Sequence, residues 1–574
     1  MNNSQIADRL DEIADLLEIQ GGNQYRVRSY RTGARTVRNL GQPVRDMLAD
    51  SEDLSALPGI GQSLADKIAT LVETGELEQL EKLRREVPGE LGTLLQVQGL
   101  GPRTLQQLHR ELGISDRAGL RRAAEQGRIG DLEGLGPKTE QNILHGLELL
   151  ERHHGRIGIR AAREQVDELG AHLDGLGAIG RWVVAGSFRR RRETVGDLDV
   201  LVRADDREAA AAGILDYPQL DEVIGRGQEK ISLRLRDGLQ VDFRFFEARA
   251  FGAALMYFTG SKAHNVALRG RAQEHDWKLN EYGLFKSDRL LAGRSEKAVY
   301  GKLGLDWIPP ELRENRGEIE AAAAGRLPRL IERAHIRGDL HVHSDASDGR
   351  SSVEQMAAAA RERDYEYLAI TDHSKAVSVT GGLDAERLAD HAAHIRALDE
   401  ELDDLLLLAG IEVDILADGR LDLPEASLAE LDWVVASVHS HFDQSEQRMT
   451  ERLLAAIDSG LVDCLGHPTG RMIGKREPIA FDFERVLAAC AERGVRLEVN
   501  AHPERLDLPP ELCQRAAAAG VELVIVTDAH SAADLDLMEY GVWAARRGWL
   551  GRRNVFNTIR AGSLAKRLRG RKKK

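Results

Sequence analysis

The chain has 574 residues, 30% of them charged, with a formal net charge of -14 and 3 cysteines, Cys464, Cys490 and Cys513. That length exceeds one hydrophobic core and calls for several domains, while the absence of a signal peptide, of a long apolar run and of metal-site cysteine spacing makes a cytoplasmic protein with reduced thiols the expectation. The acidic total excludes a uniformly basic nucleic-acid binder but not local basic grooves, because net charge is a whole-chain sum and the carboxylates are spread over helices such as LDEELDDLLLL.

The first stretch, residues 1–87, carries apolar residues at helical spacing in QIADRLDEIADLLEI, followed by the basic YRVRSYRTGARTVRNL with Tyr25 and Tyr30 interleaved. Three related segments follow: LPGIGQSLADKI, VQGLGPRTLQQL and LEGLGPKTEQNI. Each sets two glycines before an amphipathic helix: Gly59 and Gly61, Gly99 and Gly101, Gly134 and Gly136. Such glycines let backbone approach a phosphate, and the helix start supplies N–H donors and a favourable dipole. The segments resemble the helix-hairpin-helix motif, which implies DNA binding through the backbone and without sequence preference. A second domain of this kind is expected over 88–150.

GSFRRRRETVGDLDVLV, residues 186–202, is the chemical centre of the next part. Asp197 and Asp199 stand two apart on a predicted strand, so both carboxylates share a face. LQVDFRFF places Asp242 on a neighbouring strand, completing an oxygen-rich site suited to Mg²⁺ with substrate phosphates in its shell. Gly186 and Ser187 form a turn able to hold phosphate, beside Arg189 to Arg192. This ordered set resembles the nucleotidyltransferase superfamily. YFTGSKAHNVALR, residues 257–269, resembles the nucleotide-binding segment of family X DNA polymerases. The resemblance implies that Tyr257, Phe258 and Gly260 line the sugar pocket, that Asn265 meets the incoming base, and that Arg269 meets the template. It further implies that Ser187, Arg190 and the backbone at Gly196 bind the triphosphate. Lys262 departs from the acidic residue that DNA polymerase beta has there, so stacking over the incoming base is expected to differ. The palm is expected over 151–248, the thumb over 249–318 and a linker over 319–336.

From residue 337 to 574 short apolar runs end repeatedly in His, Asp or Glu, with helical stretches between, the pattern of a (β/α) barrel whose site lies at the strand C-termini. His341 and His343 face one way on a strand, and imidazoles bridged by carboxylates suit two or three Mn²⁺, Zn²⁺ or Fe ions. The segment resembles the PHP (polymerase and histidinol phosphatase) domain, and the order polymerase-then-PHP resembles the bacterial and archaeal PolX proteins. That resemblance implies a ligand set of His341, His343, Asp348, His373, Glu412, His439, His467, Asp528 and His530. His441 and His502 are read as outer or substrate contacts, and Arg471 and Arg505 as candidate phosphate holders. The basic tail KRLRGRKKK is expected to touch DNA non-specifically.

The expected fold is multidomain: α-helical helix-hairpin-helix domains, an α+β nucleotidyltransferase palm and thumb, and a C-terminal (β/α)7-type PHP barrel. The expected function is gap filling in DNA repair with Mg²⁺ or Mn²⁺ at the palm, on gapped or nicked DNA with dNTPs, by a monomer. The barrel adds 3′-to-5′ exonuclease or 3′-end processing, with AP-endonuclease cleavage a related option. Two rivals are a DNA-end scaffold with structural metals and a small-molecule phosphatase barrel. Lys67 in SLADKI matches the lyase lysine of DNA polymerase beta, and Arg26 and Tyr30 match its 5′-phosphate side, while Ser63 and Gln79 stand where that protein has lysines.

Overall fold

The computed structural model describes residues 3–571 apart from 39, 41–43, 50–51, 76, 88–90, 96, 98–99, 133, 154 and 378–379. Gly99 and the last three lysines therefore lie outside the described residues.

Residues up to His154 form the bulk of a helical unit. Ile6, Leu10, Ile13 and Leu17, spaced three or four apart on the helix Asn3–Ile19, join one core with Val27, Tyr30 and Ala34 of Gln24–Arg38. Ile68 and Leu71 of Gln62–Thr74, and Leu105 and Leu108 of Pro102–Leu112, complete the same core. Each large apolar side chain of this kind contributes about 1.5–3 kcal/mol on burial. Gly61 and Gly101 cap the helices Gln62–Thr74 and Pro102–Leu112, and Gly136 precedes Pro137–His153. A Cβ built on Gly61, Gly101 or Gly136 would meet nothing within 4 Å, so these helix starts are open to a ligand. Gly59 and Gly134 take φ values of 76° and 80°, a left-handed turn that glycine enters without strain.

The second unit begins at Gly155. Its first sheet has the order Ile179–Val184, Asp197–Ala204, Gln240–Phe245, Lys230–Leu235, Leu220–Arg226. Asp197–Ala204 and Gln240–Phe245 are parallel neighbours in a register that sets Asp199 beside Asp242. Alternation then buries Leu198, Val200 and Val202 while Asp197 and Asp199 remain on the accessible face. The helices Phe251–Thr259 and Lys262–Gln273 and a small antiparallel sheet from Lys278 to Ala292 follow, around a core including Met256, Leu268, Tyr300 and Leu312.

From Gly338 onward, seven parallel strands lie in sequence order: Gly338–Val342, Tyr367–Ile370, Leu406–Asp414, Trp433–Ser437, Cys464–Leu465, Arg496–Asn500 and Leu523–Val526. A parallel bridge between Val342 and Ala529 brings the last strand back to the first, so the barrel is nearly closed. Its strands are buried on both faces, as parallel strands covered by helices must be. All three cysteines are free and buried, and burial pushes the Cys490 thiol up to about 12.

Candidate active sites

The palm site starts with the short helix Gly186–Arg189, where a tight turn was expected. Gly186 sits at φ 61°, and a Cβ there would lie 3.3 Å from Asp199 Oδ2. Glycine is thus required both by the backbone and by the closeness of the carboxylate. Ser261 starts the helix Lys262–Gln273 by accepting from the His264 N–H, which sets Lys262, Asn265 and Arg269 along one face.

These elements enclose a cleft of about 750 Å³ lined by Ser187, Arg190, Asp197, Asp199, Tyr257, Phe258, Gly260, Lys262, Asn265 and Arg269. Arg156, Gly186, Arg192 and Glu314 complete its wall. Gly196 and Asp242 are outside that lining. Asp242 stands directly beside Asp199 on the adjacent strand, and Gly196 precedes Asp197 with Arg156 packed on it. Asn265 donates to the Tyr257 carbonyl at 2.6 Å, and its Oδ1 has no hydrogen-bond partner among the described residues. Arg190 donates to Glu314 at 3.0 Å and to the Thr259 carbonyl.

Burial, reinforced by the neighbouring Asp197, pushes Asp199 up to about 6. Burial acts the same way on Asp242, but hydrogen bonds from Lys230, Ser232 and Gln240 outweigh it and hold the carboxyl below its ordinary value. Lys230 lies 2.7 Å from Asp242 Oδ2, and Arg244 stands 3.5 Å from both Asp199 and Asp242 with its guanidinium over the Phe258 ring. This surplus of adjacent carboxylate, balanced by side-chain cations, fits a divalent-ion site. Lys230, Arg244 and Glu314 were not foreseen, although Lys230 and Arg244 are direct cross-strand neighbours in the sheet register.

The barrel site gathers the whole expected ligand set. Ligand atoms of His343, Asp348, His373 and His530 lie within 4.8 Å of one another, as do those of His341, His343 and Asp528, and of His373, Glu412 and His439. His467 Nε2 approaches Glu412 Oε1 at 3.0 Å. His341 Nε2, His343 Nδ1, His373 Nδ1 and Glu412 Oε2 are buried without hydrogen bonds among the described residues, although His373 Nδ1 and Glu412 Oε2 lie 2.8 Å apart as an ion-pair contact. Orphaned buried donors and acceptors converging on one space are what a metal cluster satisfies, so the residues fit such ions. Burial, with His530 and His373 alongside, lowers His343 to about 4, leaving a neutral imidazole suited to ligation. Burial opposes the charge on His439, but Glu412 and Asp414 prevail and raise it to about 9.

Behind the ligands, His341 Nδ1 lies 2.7 Å from Glu498, and His439 Nδ1 lies 3.2 Å from Asp414. Asn500 donates to both Glu498 and Asp528, at 2.8 and 3.0 Å. Such partners orient the imidazoles and fix which nitrogen would face a bound metal. Glu498 and Asn500 escaped the sequence reading, though their i, i+2 spacing on RLEVN was the available signal. His502 is partly buried and donates its backbone N–H to Asn500, while His441 is exposed. Arg471, expected as a phosphate holder, is engaged by protein partners. Its guanidinium is bound to Glu193 and to the carbonyls of Arg505 and Leu506.

In the helical unit Lys67 Nζ donates to the Tyr30 hydroxyl at 2.6 Å, and that hydroxyl donates to Gln79 at 2.7 Å. Tyr30 is buried, whereas Tyr25 and Arg26 are exposed.

A carboxylate-lined nucleotidyltransferase palm followed by a metal-fit phosphoesterase barrel defines a class of two-site enzyme. Family models match in the same order: helix-hairpin-helix domain at 1–77, SAM-like helix-hairpin-helix tandem at 91–148, DNA polymerase beta thumb at 254–314 and PHP domain at 339–502. The chain is 38% identical over 561 residues to the DNA polymerase/3′-5′ exonuclease PolX of Bacillus subtilis (strain 168), covering 97% of each. It is also 25% identical over 344 residues to DNA polymerase lambda of Rattus norvegicus, covering 54% of this chain and 56% of that one. A probable phosphatase of Thermoanaerobacter sp. (strain X514) is 28% identical over 247 residues, 41% of this chain and 96% of that protein. The chain belongs to the PolX-type family X DNA polymerases that carry a PHP domain.

Proposed function

We propose that the protein fills short gaps in DNA at the palm and hydrolyses 3′ ends at the barrel. The observation that carries the polymerase reading is the convergence of Ser187, Arg190, Asp197, Asp199 and the 257–269 segment on one cleft. Mg²⁺ or Mn²⁺ held by Asp197, Asp199 and Asp242 would neutralise charge on the triphosphate during in-line displacement. Ser187 and Arg190 bind the triphosphate, with Arg190 exchanging Glu314 for phosphate oxygens. Tyr257, Phe258 and Gly260 hold the sugar, Asn265 meets the base, and Lys262 and Arg269 flank the nucleotide and template. Asp242 accepts the proton of the primer 3′-hydroxyl, whose oxygen attacks the α-phosphorus as pyrophosphate leaves.

In the barrel, His341, His343, Asp348, His373, Glu412, His439, His467, Asp528 and His530 would hold two or three Mn²⁺, Zn²⁺ or Fe ions that activate water and offset phosphodiester charge. Glu498, Asp414 and Asn500 keep those side chains aimed, and His441 and His502 meet the nucleotide being removed. The open helix starts at Gly61, Gly101 and Gly136 grip DNA phosphates. The substrates are dNTPs on gapped or nicked DNA, and the enzyme is a cytoplasmic monomer. Among the described residues no helix is long and apolar enough to cross a membrane.

The test is one gel assay on gapped DNA labelled at the primer 5′ end, with Mg²⁺ or Mn²⁺, with and without dNTPs. Extension with dNTPs and shortening without them are expected. Absence of both products would overturn the reading. A second reading of the barrel, as a small-molecule phosphatase, is favoured by its likeness to the Thermoanaerobacter protein. Faster turnover of p-nitrophenyl phosphate than of a 3′-labelled oligonucleotide would select it.

A further inference from the structure

The palm turn that carries Ser187 and Arg190 continues through Arg191 and Arg192 to Glu193, and this continuation meets the barrel. Arg191 has φ 57° and lays its guanidinium 3.8 Å from the Trp543 ring centroid. Trp543 lies on the helix Met538–Arg547. Two residues further on, Glu193 Oε1 accepts from Arg471 Nη2 at 2.8 Å and lies 3.6 Å from Arg547 Nη1.

Arg471 is the junction. It follows the ligand His467 by four residues, and its Nε donates to the Arg505 carbonyl at 2.9 Å while Nη2 also reaches the Leu506 carbonyl. Arg505 in turn leans on the ligand Asp528, with Nε 3.9 Å from Oδ2. One guanidinium thus joins the loop after Cys464–Leu465 to the loop after Arg496–Asn500, and its only carboxylate partner among these contacts comes from the palm. The Arg471 side chain is 12% exposed. Loss of Glu193 would leave a nearly buried cation hydrogen-bonded to carbonyls only, with the buried Asp507 as its remaining nearby carboxyl, and the two loops would have to rearrange to solvate it.

We infer that Glu193, a palm residue, is a positioning residue for the hydrolytic site of the barrel. It acts through Arg471 to fix the loops bearing His467 and Arg505. The inference builds on the reading of the barrel as a 3′-end phosphodiesterase. It makes the palm a structural participant in hydrolysis and explains why Arg471 is not free to bind phosphate.

The experiment compares the full chain with Glu193→Gln and Glu193→Asp. In Glu193→Gln, kcat for 3′-end hydrolysis is expected to fall about tenfold with KM little changed, the scale seen for partners behind metal ligands. Glu193→Asp, which keeps the charge, should recover most of that loss, and gap filling should be unaffected in both. Hydrogen exchange gives a readout independent of turnover: amides of 467–473 and 502–508 should exchange faster in Glu193→Gln. Unchanged exchange in those segments overturns the inference, whatever the activity of the unaltered protein. Equal loss of gap filling and hydrolysis also overturns it, by reducing Glu193 to a scaffold residue. Hydrolysis absent from the unaltered protein, with exchange altered as expected, counts against the phosphodiesterase reading and leaves the loop coupling standing.

Discussion

The palm and the barrel solve the same electrostatic problem with different materials. In the palm, Asp199 and Asp242 are attended by the side-chain cations Lys230 and Arg244, and Asp197 lines the cleft of about 750 Å³. In the barrel, Glu412 and Asp528 are buried and surrounded by imidazoles, several of whose nitrogens make no hydrogen bond among the described residues. A site with its own ammonium and guanidinium can remain folded while ions come and go with substrate. A buried site of carboxylates and imidazoles offsets its desolvation through charge on those imidazoles, as at His439 and His530, or through bound cations.

The comparison breaks most sharply by mutation of one site at a time. Asp199→Ala should lower nucleotide addition more than about a hundredfold, beyond the usual cost of an outer partner, and leave 3′-end hydrolysis intact. His341→Ala or Asp528→Ala should do the reverse. Loss of both activities in any one folded variant would mean that the two sites are not independent.

Sugar choice probes the palm alone. Tyr257 and Phe258, with ring centroids 5.2 Å apart, crowd the wall beside Gly260. dNTPs should therefore be used at least about tenfold more efficiently than rNTPs, the scale of a steric pocket preference. Equal kcat/KM for the two would show that the aromatic pair does not touch the 2′ position.

A third effect tests how the palm and thumb balance their arginines. Glu296 receives Arg189 at 2.7 and 2.8 Å and Arg313 at 2.7 Å. Burial alone would raise its pKa, but these arginines hold it well below the ordinary 4.5. A depressed carboxyl stabilises the fold fully above the unfolded-state value and loses that contribution as pH falls through the folded-state value. Glu296→Gln should destabilise by about 3 kcal/mol at neutral pH, as breaking a buried pair does. The gap to the unaltered protein should narrow steadily below pH 4.5 in thermal melts. A gap independent of pH would show that charge is not what Glu296 contributes.

The smallest effect is expected at Lys67, whose amine donates to the Tyr30 phenol. Borohydride reduction with a 5′-deoxyribose-phosphate end should trap at most a weak adduct, because the Lys67 amine that would have to attack the sugar aldehyde is engaged by the Tyr30 hydroxyl. Lys67→Ala should abolish whatever adduct forms. A strong adduct that survives the substitution would assign the chemistry to another lysine.

Much of both sites was legible because their signals are local. Asp-x-Asp and His-x-His share a strand face by alternation, and Gly-x-Gly before an amphipathic run marks an open helix start; neither depends on the rest of the chain. The polar residues of the barrel stood out because one pattern recurs strand after strand, and Gly186 and Ser187 because of their place ahead of Asp197. What the sequence left open is who balances whom. Lys230 reaches Asp242 only once two strands pair, Glu498 reaches His341 across 157 residues, and Glu193 reaches Arg471 across 278. A charge carries no mark in sequence of the partner that neutralises it, because Coulomb attraction and desolvation depend on distance and burial in space. Arg471 shows the consequence: its place after His467 suggested a phosphate holder, and only tertiary packing gave its guanidinium to a carboxylate in the palm.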